Sequence, residues 1–169
     1  LNFMRGWDSG RGLKETVLSI VENYPYEVVH SNMNLLGTHD TPRILTALVD
    51  DFDGSREEMA KRRLSRNNME VARDRLLMAS FLQYTLPGSP SLYYGDEALM
   101  EGYKDPFNRR TYPWGREDQE MLNHFKRLGT LRKNFEALRL GDIRFFEAGD
   151  KHLGYTRTLG EKTVKVYVN

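Results

Sequence analysis

The sequence contains no cysteine, and its charges nearly cancel, with 25 Lys and Arg against 24 Asp and Glu. The absence of cysteine excludes disulfide bonds and thiolate metal sites. The balanced charge gives no electrostatic case for binding nucleic acid or an anionic membrane surface. No apolar run approaches the ~20 residues of a membrane-spanning helix. We therefore expect neither nucleic acid nor a membrane among the partners.

The 169 residues suffice for one medium-sized domain with a substantial core. The first residue is Leu1 rather than a methionine, so we expect a piece of a longer protein. A missing leader sequence then says nothing about targeting. Localisation stays open between cytoplasmic and secreted.

Helix and strand patterns alternate over the first two thirds of the chain. Apolar residues at helical spacing predict helices over Leu13–Asn23, Arg43–Val49 and Glu70–Leu86. Short apolar runs predict strands at Met33–Leu36 and Ser91–Tyr94, and residues 26–32 are expected only to connect elements. This order is typical of βα units around a parallel sheet, hence of an α/β fold.

A long loop at residues 98–118 is followed by another amphipathic helix, for which Asp118 is a candidate cap. Such a loop inside a compact domain is usually functional or disordered, and its aromatic content speaks against disorder. After Leu138 the apolar residues alternate with polar ones, with turn signals at Gly149 and Gly160. Period two predicts half-buried antiparallel strands. We expect one domain over residues 1–137 and the beginning of a β domain over 138–169.

The segment Asn34–Arg43 (NLLGTHDTPR) changes abruptly from apolar to polar residues. A buried strand that opens onto a functional loop has this pattern, and His39 and Asp40 follow directly after it. Thr41 and Pro42 then suggest a helix start, capped by Asp40 or Thr41. The alternative is that Asp40 is only a helix cap and His39 only a polar loop residue.

Two other acidic groups need an interpretation. The run at residues 50–55 is rich in aspartate, but it lacks the alternating pattern ending in Glu that a calcium loop requires. We interpret it as a solvated loop. Asp96 and Glu97 stand just past the second strand and could form a two-carboxylate centre.

Three blocks together resemble one family, in its order and at its spacing. They are Asn34–Arg43, Leu86–Glu97 (LPGSPSLYYGDE) and Asp105–Trp114 (DPFNRRTYPW). The chain is similar to the α-amylase superfamily, glycoside hydrolase family 13, and within it to neopullulanase, cyclomaltodextrinase and maltogenic amylase. The resemblance implies the C-terminal part of a (β/α)8 TIM barrel, followed by the start of an antiparallel β-sandwich domain.

The resemblance also implies roles for particular residues. Asp40 matches the family's third carboxylate, which stabilises the transition state, and His39 matches the histidine that assists it. Asp105 and Arg109 resemble a pair that holds a sugar, although a purely local salt bridge is the alternative. Arg43 is a weaker candidate for substrate binding, and it could instead bond the loop or a carboxylate.

The remaining polar residues past the second strand have a structural role in this reading. Tyr94, Asp96 and Glu97 brace the strand end, so the resemblance argues against a two-carboxylate centre there.

The implied function is part of a retaining glycoside hydrolase that cleaves α-1,4-glucosidic bonds of starch, pullulan or cyclodextrin-type α-glucans. No block resembles those that carry the family's nucleophile and acid/base, so the isolated chain should be inactive. The alternatives are a non-catalytic carbohydrate-binding or interaction module, an α-1,6-glucosidase or a transglycosylase. We expect no cofactor, although the parent protein could bind calcium. An open barrel edge and the apolar helix at Leu76–Leu82 predict a homodimer.

Overall fold

The computed structural model describes residues 1–169, which form two compact units. Unit 1 comprises Leu1–Asn34, Phe81–Pro90 and Arg127–Asn169. Unit 2 comprises Leu35–Ser80 and Ser91–Lys126. Each unit therefore combines segments that are distant in the sequence.

The chain is of the α/β type, with two sheets. Strands β1 and β2 form a two-stranded sheet, and β3, β4 and β5 form a three-stranded sheet in that order. The strands are β1 (Met33–Leu35), β2 (Ser89–Ser91), β3 (Asp142–Ala148), β4 (Leu153–Leu159) and β5 (Lys162–Val168). The helices are α1 (Asn2–Arg5), α2 (Gly10–Asn23), α3 (Tyr26–Ser31), α4 (Ile44–Ala47), α5 (Arg56–Lys61), α6 (Arg66–Thr85), α7 (Gln119–Asn134) and α8 (Glu136–Leu140), with a 3-10 turn at Asp96–Ala98.

The antiparallel strands predicted after Leu138 are confirmed. Strand β4 pairs with β3 on one side and with β5 on the other, both antiparallel, and a bulge separates Phe145 from Glu147. The central strand is the most buried because it has a neighbour on each side, and its Leu153 and Tyr155 have no exposed surface. The Tyr155 hydroxyl lies 2.6 Å from Thr85 Oγ1, at the end of α6.

A buried arginine organises the interior of unit 1. Arg157 has no exposed surface and donates to the carbonyl oxygens of Gly141, from Nε at 3.1 Å, and of Thr85, from Nη1 at 2.6 Å. Burial lowers the pKa of its guanidinium to about 10, because desolvation disfavours the charged form. These carbonyls close the ends of α6 and α8, where helices leave acceptors without partners.

The core of unit 2 is built by α4, α6 and α7. Leu45 of α4, Leu76 of α6 and Met121 of α7 are all fully buried. Asp118 caps α7 as predicted, since its Oδ1 accepts the Met121 amide at 2.8 Å. Helix α6 begins four residues before the predicted Glu70, and Leu76, Ala79 and Leu82 in its apolar second half are buried.

The predicted helix start at Thr41 and Pro42 is wrong. Helix α4 begins at Ile44, and neither Asp40 nor Thr41 caps it. The Thr41 hydroxyl oxygen instead accepts the Thr38 amide at 3.2 Å, and the Arg43 amide donates to Gly102 at 2.8 Å. These bonds hold residues 38–43 in a turn and a non-helical connection, so the helix begins only at Ile44.

The second strand lies earlier than predicted. It spans Ser89–Ser91, because the carbonyl oxygens of Tyr93 and Tyr94 are used elsewhere. Tyr93 accepts the Asp96 amide in a turn, and Tyr94 accepts from the Arg43 guanidinium.

The first strand ends one residue earlier than predicted and is not buried. Met33 is 65% exposed and Leu35 is 49% exposed, because a two-stranded sheet leaves its apolar side chains uncovered. The connection at residues 26–32 contains the short helix α3. Helix α5 was also not predicted, although Ser55 and Glu58 form a capping box at its start, which is a readable signal.

Candidate functional site

The candidate site is the loop between β1 and α4, which bonds to itself. The Thr38 amide donates to Thr41 Oγ1, and the Asp40 amide donates to Thr38 Oγ1, both at 3.2 Å. These two bonds make a tight turn that projects His39 and Asp40 outward. The two side chains are 62% and 72% exposed, so both are accessible to a ligand.

Four of the predicted residues form one exposed cluster, which we call the site cluster: His39, Asp40, Asp105 and Arg109. His39 Nε2 lies 3.1 Å from Asp40 Oδ2. Arg109 ion-pairs with Asp105 at 2.7 Å and with the other oxygen of Asp40 at 3.8 Å. The local salt bridge considered for Asp105 and Arg109 is therefore present, but the same arginine also reaches Asp40. The cluster offers both donors and acceptors to a polar ligand.

The fifth predicted residue, Arg43, lies beneath this surface. Its side chain is fully buried, and it donates from Nε to the Asn108 carbonyl at 2.7 Å and from Nη1 to the Tyr94 carbonyl. Its guanidinium also lies 4.3 and 4.5 Å from the ring centroids of Tyr93 and Tyr94. Arg43 bonds the loop and a carboxylate, which is the alternative considered for it, and its side chain has no exposed surface to offer a ligand.

Asp96 is the carboxylate partner of Arg43. Its Oδ1 lies 3.3 Å from Arg43 Nη1, and its side chain is only 3% exposed. Burial raises the pKa of Asp96 to about 7, against the opposing attraction of Arg43. Gly37 approaches so closely that a Cβ there would meet Asp96 Oδ2 at 2.9 Å. Asp96 is thus enclosed and acts on the scaffold, while Glu97 accepts the Gly95 amide at 2.8 Å.

Sequence reasoning missed Asn108. This residue is fully buried, and its Nδ2 donates to the carbonyl oxygens of His39 and Thr41, both at 2.7 Å. Its position between Asp105 and Arg109 is visible in the sequence, but nothing there shows that an exposed loop turns one side chain inward. A small polar residue inside an aromatic-rich loop was the only available signal.

The aspartate-rich loop is held by protein groups. Asp50 Oδ2 accepts from the Tyr103 hydroxyl at 2.7 Å and from Arg62 Nε at 3.0 Å. Burial alone would raise the pKa of Asp50, but the hydrogen bonds from Tyr103, the Phe52 amide and Arg62 outweigh it and lower that pKa. No group of three His, Asp or Glu side chains is arranged to hold a metal ion. None of the helices has the length and apolarity to cross a membrane.

Comparison with known proteins gives relatives of one kind, although no family model matches the chain. The chain is 40% identical over 148 residues to the amylopullulanase of Thermoanaerobacter thermohydrosulfuricus, which covers 87% of this chain and 10% of that protein. It is 37% identical over 159 residues to the cyclomaltodextrinase of Geobacillus thermopakistaniensis, covering 92% and 24% respectively.

Comparison with solved structures finds enzymes of the same kind. The debranching enzyme of Nostoc punctiforme matches with a TM-score of 0.78 and 28% identity, over 95% of this chain and 29% of that one. The structural neighbours are TIM-barrel enzymes of glycoside hydrolase family 13. The chain spans between a tenth and a quarter of the length of the two curated relatives. In sequence and in fold, this chain belongs to the α-amylase superfamily, glycoside hydrolase family 13.

Proposed function

We propose that this chain is part of a retaining glycoside hydrolase that acts on α-1,4-glucosidic bonds of starch, pullulan or cyclodextrin-type α-glucans. The observation that carries the proposal is the site cluster, in which Arg109 contacts Asp40 at 3.8 Å and Asp105 at 2.7 Å. The side chains are exposed, polar and of both charges. Such a cluster suits a ligand rich in hydroxyl groups, which needs donors and acceptors together.

In this proposal Asp40 stabilises the transition state. Its carboxylate accepts hydrogen bonds from hydroxyls of the sugar at the cleaved bond, and His39, 3.1 Å away, shares that contact. Hydrogen bonds to sugar hydroxyls that strengthen as the ring becomes oxocarbenium-like contribute several kcal/mol to glycosidase catalysis. Asp105 and Arg109 hold a neighbouring sugar. Arg43 contributes only through the backbone that it supports.

The chain contributes half of a site in this proposal. Retaining enzymes need a nucleophile and an acid/base carboxylate about 5–5.5 Å apart. No block of the sequence resembles those that carry them in the family. Asp96 is enclosed against Arg43, which argues against a reacting role. We therefore infer that the isolated chain is inactive. Residues 1–137 would supply the last barrel units, and residues 138–169 the start of the C-terminal β-sandwich domain.

A second candidate is a carbohydrate-binding module without catalysis. The same exposed cluster favours it, because binding needs no reacting carboxylate. Action on α-1,6 bonds and transglycosylation are variants of the first proposal, and residues outside this chain would decide between them.

The test is hydrolysis of cyclodextrin, pullulan and soluble starch by the 169-residue chain and by the longer gene product that contains it. Asp40→Asn in the longer product should lower kcat/KM by about a thousandfold, as expected when several kcal/mol of transition-state stabilisation are lost. The matched control is Asp53→Asn, which changes an exposed aspartate paired with Lys104. Full activity of the Asp40 variant would refute the role of Asp40, and inactivity of the unmodified long product would favour the binding module.

We also propose that the chain forms a homodimer, through the open sheet edge that the sequence suggested rather than through the apolar helix. Leu76 and Leu82 of the apolar helix are buried within the structure. Exposed apolar side chains lie instead in unit 1, beside a groove of about 300 Å³ that Val17, Ile20 and Met33 help to line. Sedimentation velocity should show a dimer, and Met33→Lys should dissociate it. A monomeric unmodified chain would end this proposal.

A further inference from the structure

Asn108 joins the two halves of the site cluster from below. It lies between Asp105 and Arg109 in sequence, and its Nδ2 donates to the backbone carbonyls of His39 and Thr41, the two residues that flank Asp40. Both bonds are 2.7 Å long. Its own backbone carbonyl accepts the 2.7 Å bond from Arg43 Nε. We propose that Asn108 is a positioning residue that fixes Asp40 relative to the sugar-holding pair.

The exposed contacts of Asp40 do not fix it alone. Its carboxylate is 72% exposed, and its partners His39 and Arg109 are themselves 62% and 46% exposed. Exposed ion pairs in water hold their groups only weakly. The backbone of residues 39–41 must therefore determine where the carboxylate stands. Asn108 is the buried side chain that bonds this backbone on both sides of Asp40.

The chemistry of this position calls for a carboxamide. Its two N–H donors diverge from one nitrogen, and both are used on carbonyl oxygens. A carboxylate of the same shape would place an acceptor against two acceptors. An aliphatic side chain would leave two carbonyls without these donors.

One further observation argues for a role beyond packing. The Oδ1 of Asn108 is buried without a hydrogen-bond partner. Buried acceptors of this kind are rare and unfavourable, so each of them calls for an explanation. A residue whose donors hold the functional loop supplies that explanation. Arg43 donates from Nε to the Asn108 carbonyl, and its Nη2 is likewise buried and unpartnered.

The inference rests on the proposed function for its consequence, but its geometry can be tested separately. In the unmodified chain, both Nδ2 protons of Asn108 should exchange slowly with solvent, as should the amide protons of Thr38 and Asp40. In Asn108→Asp the two loop amides should exchange faster. They should regain protection as the pH falls, because a protonated carboxyl can donate to one of the two carbonyls.

The matched control is Asn34→Asp. Asn34 Nδ2 also donates to two backbone carbonyls, those of Gln83 and Pro87, at 3.2 and 2.9 Å. Both variants replace the same donor group, so general loss of stability should be comparable. Only the Asn108 variant should change exchange at Thr38 and Asp40 selectively.

The functional readout is a titration with maltotriose, followed by NMR. We expect Asn108→Asp to bind about tenfold more weakly or worse, with binding partly restored at low pH, and Asn34→Asp to bind like the unmodified chain. Equal effects of the two variants, or an unchanged affinity of the Asn108 variant, would overturn the inference.

The two failures can be distinguished. If the unmodified chain does not bind maltotriose, the proposed sugar-binding function of the chain fails, and the exchange data alone decide on positioning. If Asn108→Asp does not fold, the unmodified chain still decides. Fast exchange of its Asn108 Nδ2 protons would overturn the inference, and slow exchange would support it.

Discussion

Replacing Asp96 with asparagine should remove a dependence of stability on pH. Asp96 is enclosed between Gly37 and Arg43, and burial raises its pKa from 3.8 to about 7 despite the nearby guanidinium. Between these two pKa values, Asp96 is protonated in the folded chain and ionised in the unfolded chain. Stability from this group is complete below pH 3.8 and is lost as the pH rises through 7.

The magnitude follows from the two pKa values. A rise from 3.8 to about 7 corresponds to about 4 kcal/mol over the whole range, at about 1.4 kcal/mol for each tenfold change in proton affinity. Between pH 5 and pH 8 the expected loss is about 3 kcal/mol, because part of the change occurs below pH 5. Asparagine has the shape of the protonated carboxyl and no proton to lose, so Asp96→Asn should not show this loss.

The assay is urea unfolding of both chains at pH 5, 6, 7 and 8, followed by circular dichroism. Subtracting the variant from the unmodified chain cancels the titration of the histidines and other carboxylates. The asparagine variant should gain about 3 kcal/mol relative to the unmodified chain over this range. Asp53→Asn, at an exposed ion pair with Lys104, should follow the unmodified chain. A difference that is constant with pH would mean that Arg43 keeps Asp96 ionised, and would refute the reasoning.

Three further predictions concern other contacts. Ser55→Ala removes one half of the capping box with Glu58 and should lower the free energy of unfolding by about 1 kcal/mol in urea titrations, whereas Ser55→Asp should retain it. Tyr155→Phe removes the buried hydroxyl 2.6 Å from Thr85 Oγ1 and should cost about 1–3 kcal/mol by the same measurement, and no loss would show that this contact contributes nothing. Arg109→Gln should weaken maltotriose binding by about tenfold or more while the melting temperature stays unchanged, because its ion pairs are exposed; equal affinity would remove Arg109 from the site.

The exposed part of the site could be predicted from the sequence, and the buried part could not. The four residues of the site cluster lie in sequence blocks that resemble one family, and the structure brings them together. Asn108 lies in one of the same blocks, but its role depends on which way the loop turns that side chain. A long loop without periodicity gives no such direction.

Local competition explains most of the errors in the elements. The sequence of Thr41 and Pro42 is a good helix start in isolation. In the folded chain the Thr41 hydroxyl oxygen accepts the Thr38 amide, and the Arg43 amide donates to the Gly102 carbonyl. The helix therefore begins later than predicted. The three antiparallel strands were easier to predict, because the alternation of apolar and polar residues indicates which face of a strand is buried.

The structure separates the groups that offer contacts from the groups that hold them in place. The ion pairs of Arg109 with Asp40 and Asp105 are exposed, and contacts of this kind contribute at most about 1 kcal/mol each. A sugar hydroxyl can replace them at little cost. Arg43 and Asn108 are fully buried and bond mainly to backbone carbonyls, where losing a donor costs about 1–3 kcal/mol per group. Weak contacts at the surface over strong contacts beneath it are what a site needs when its side chains must exchange partners without losing their positions.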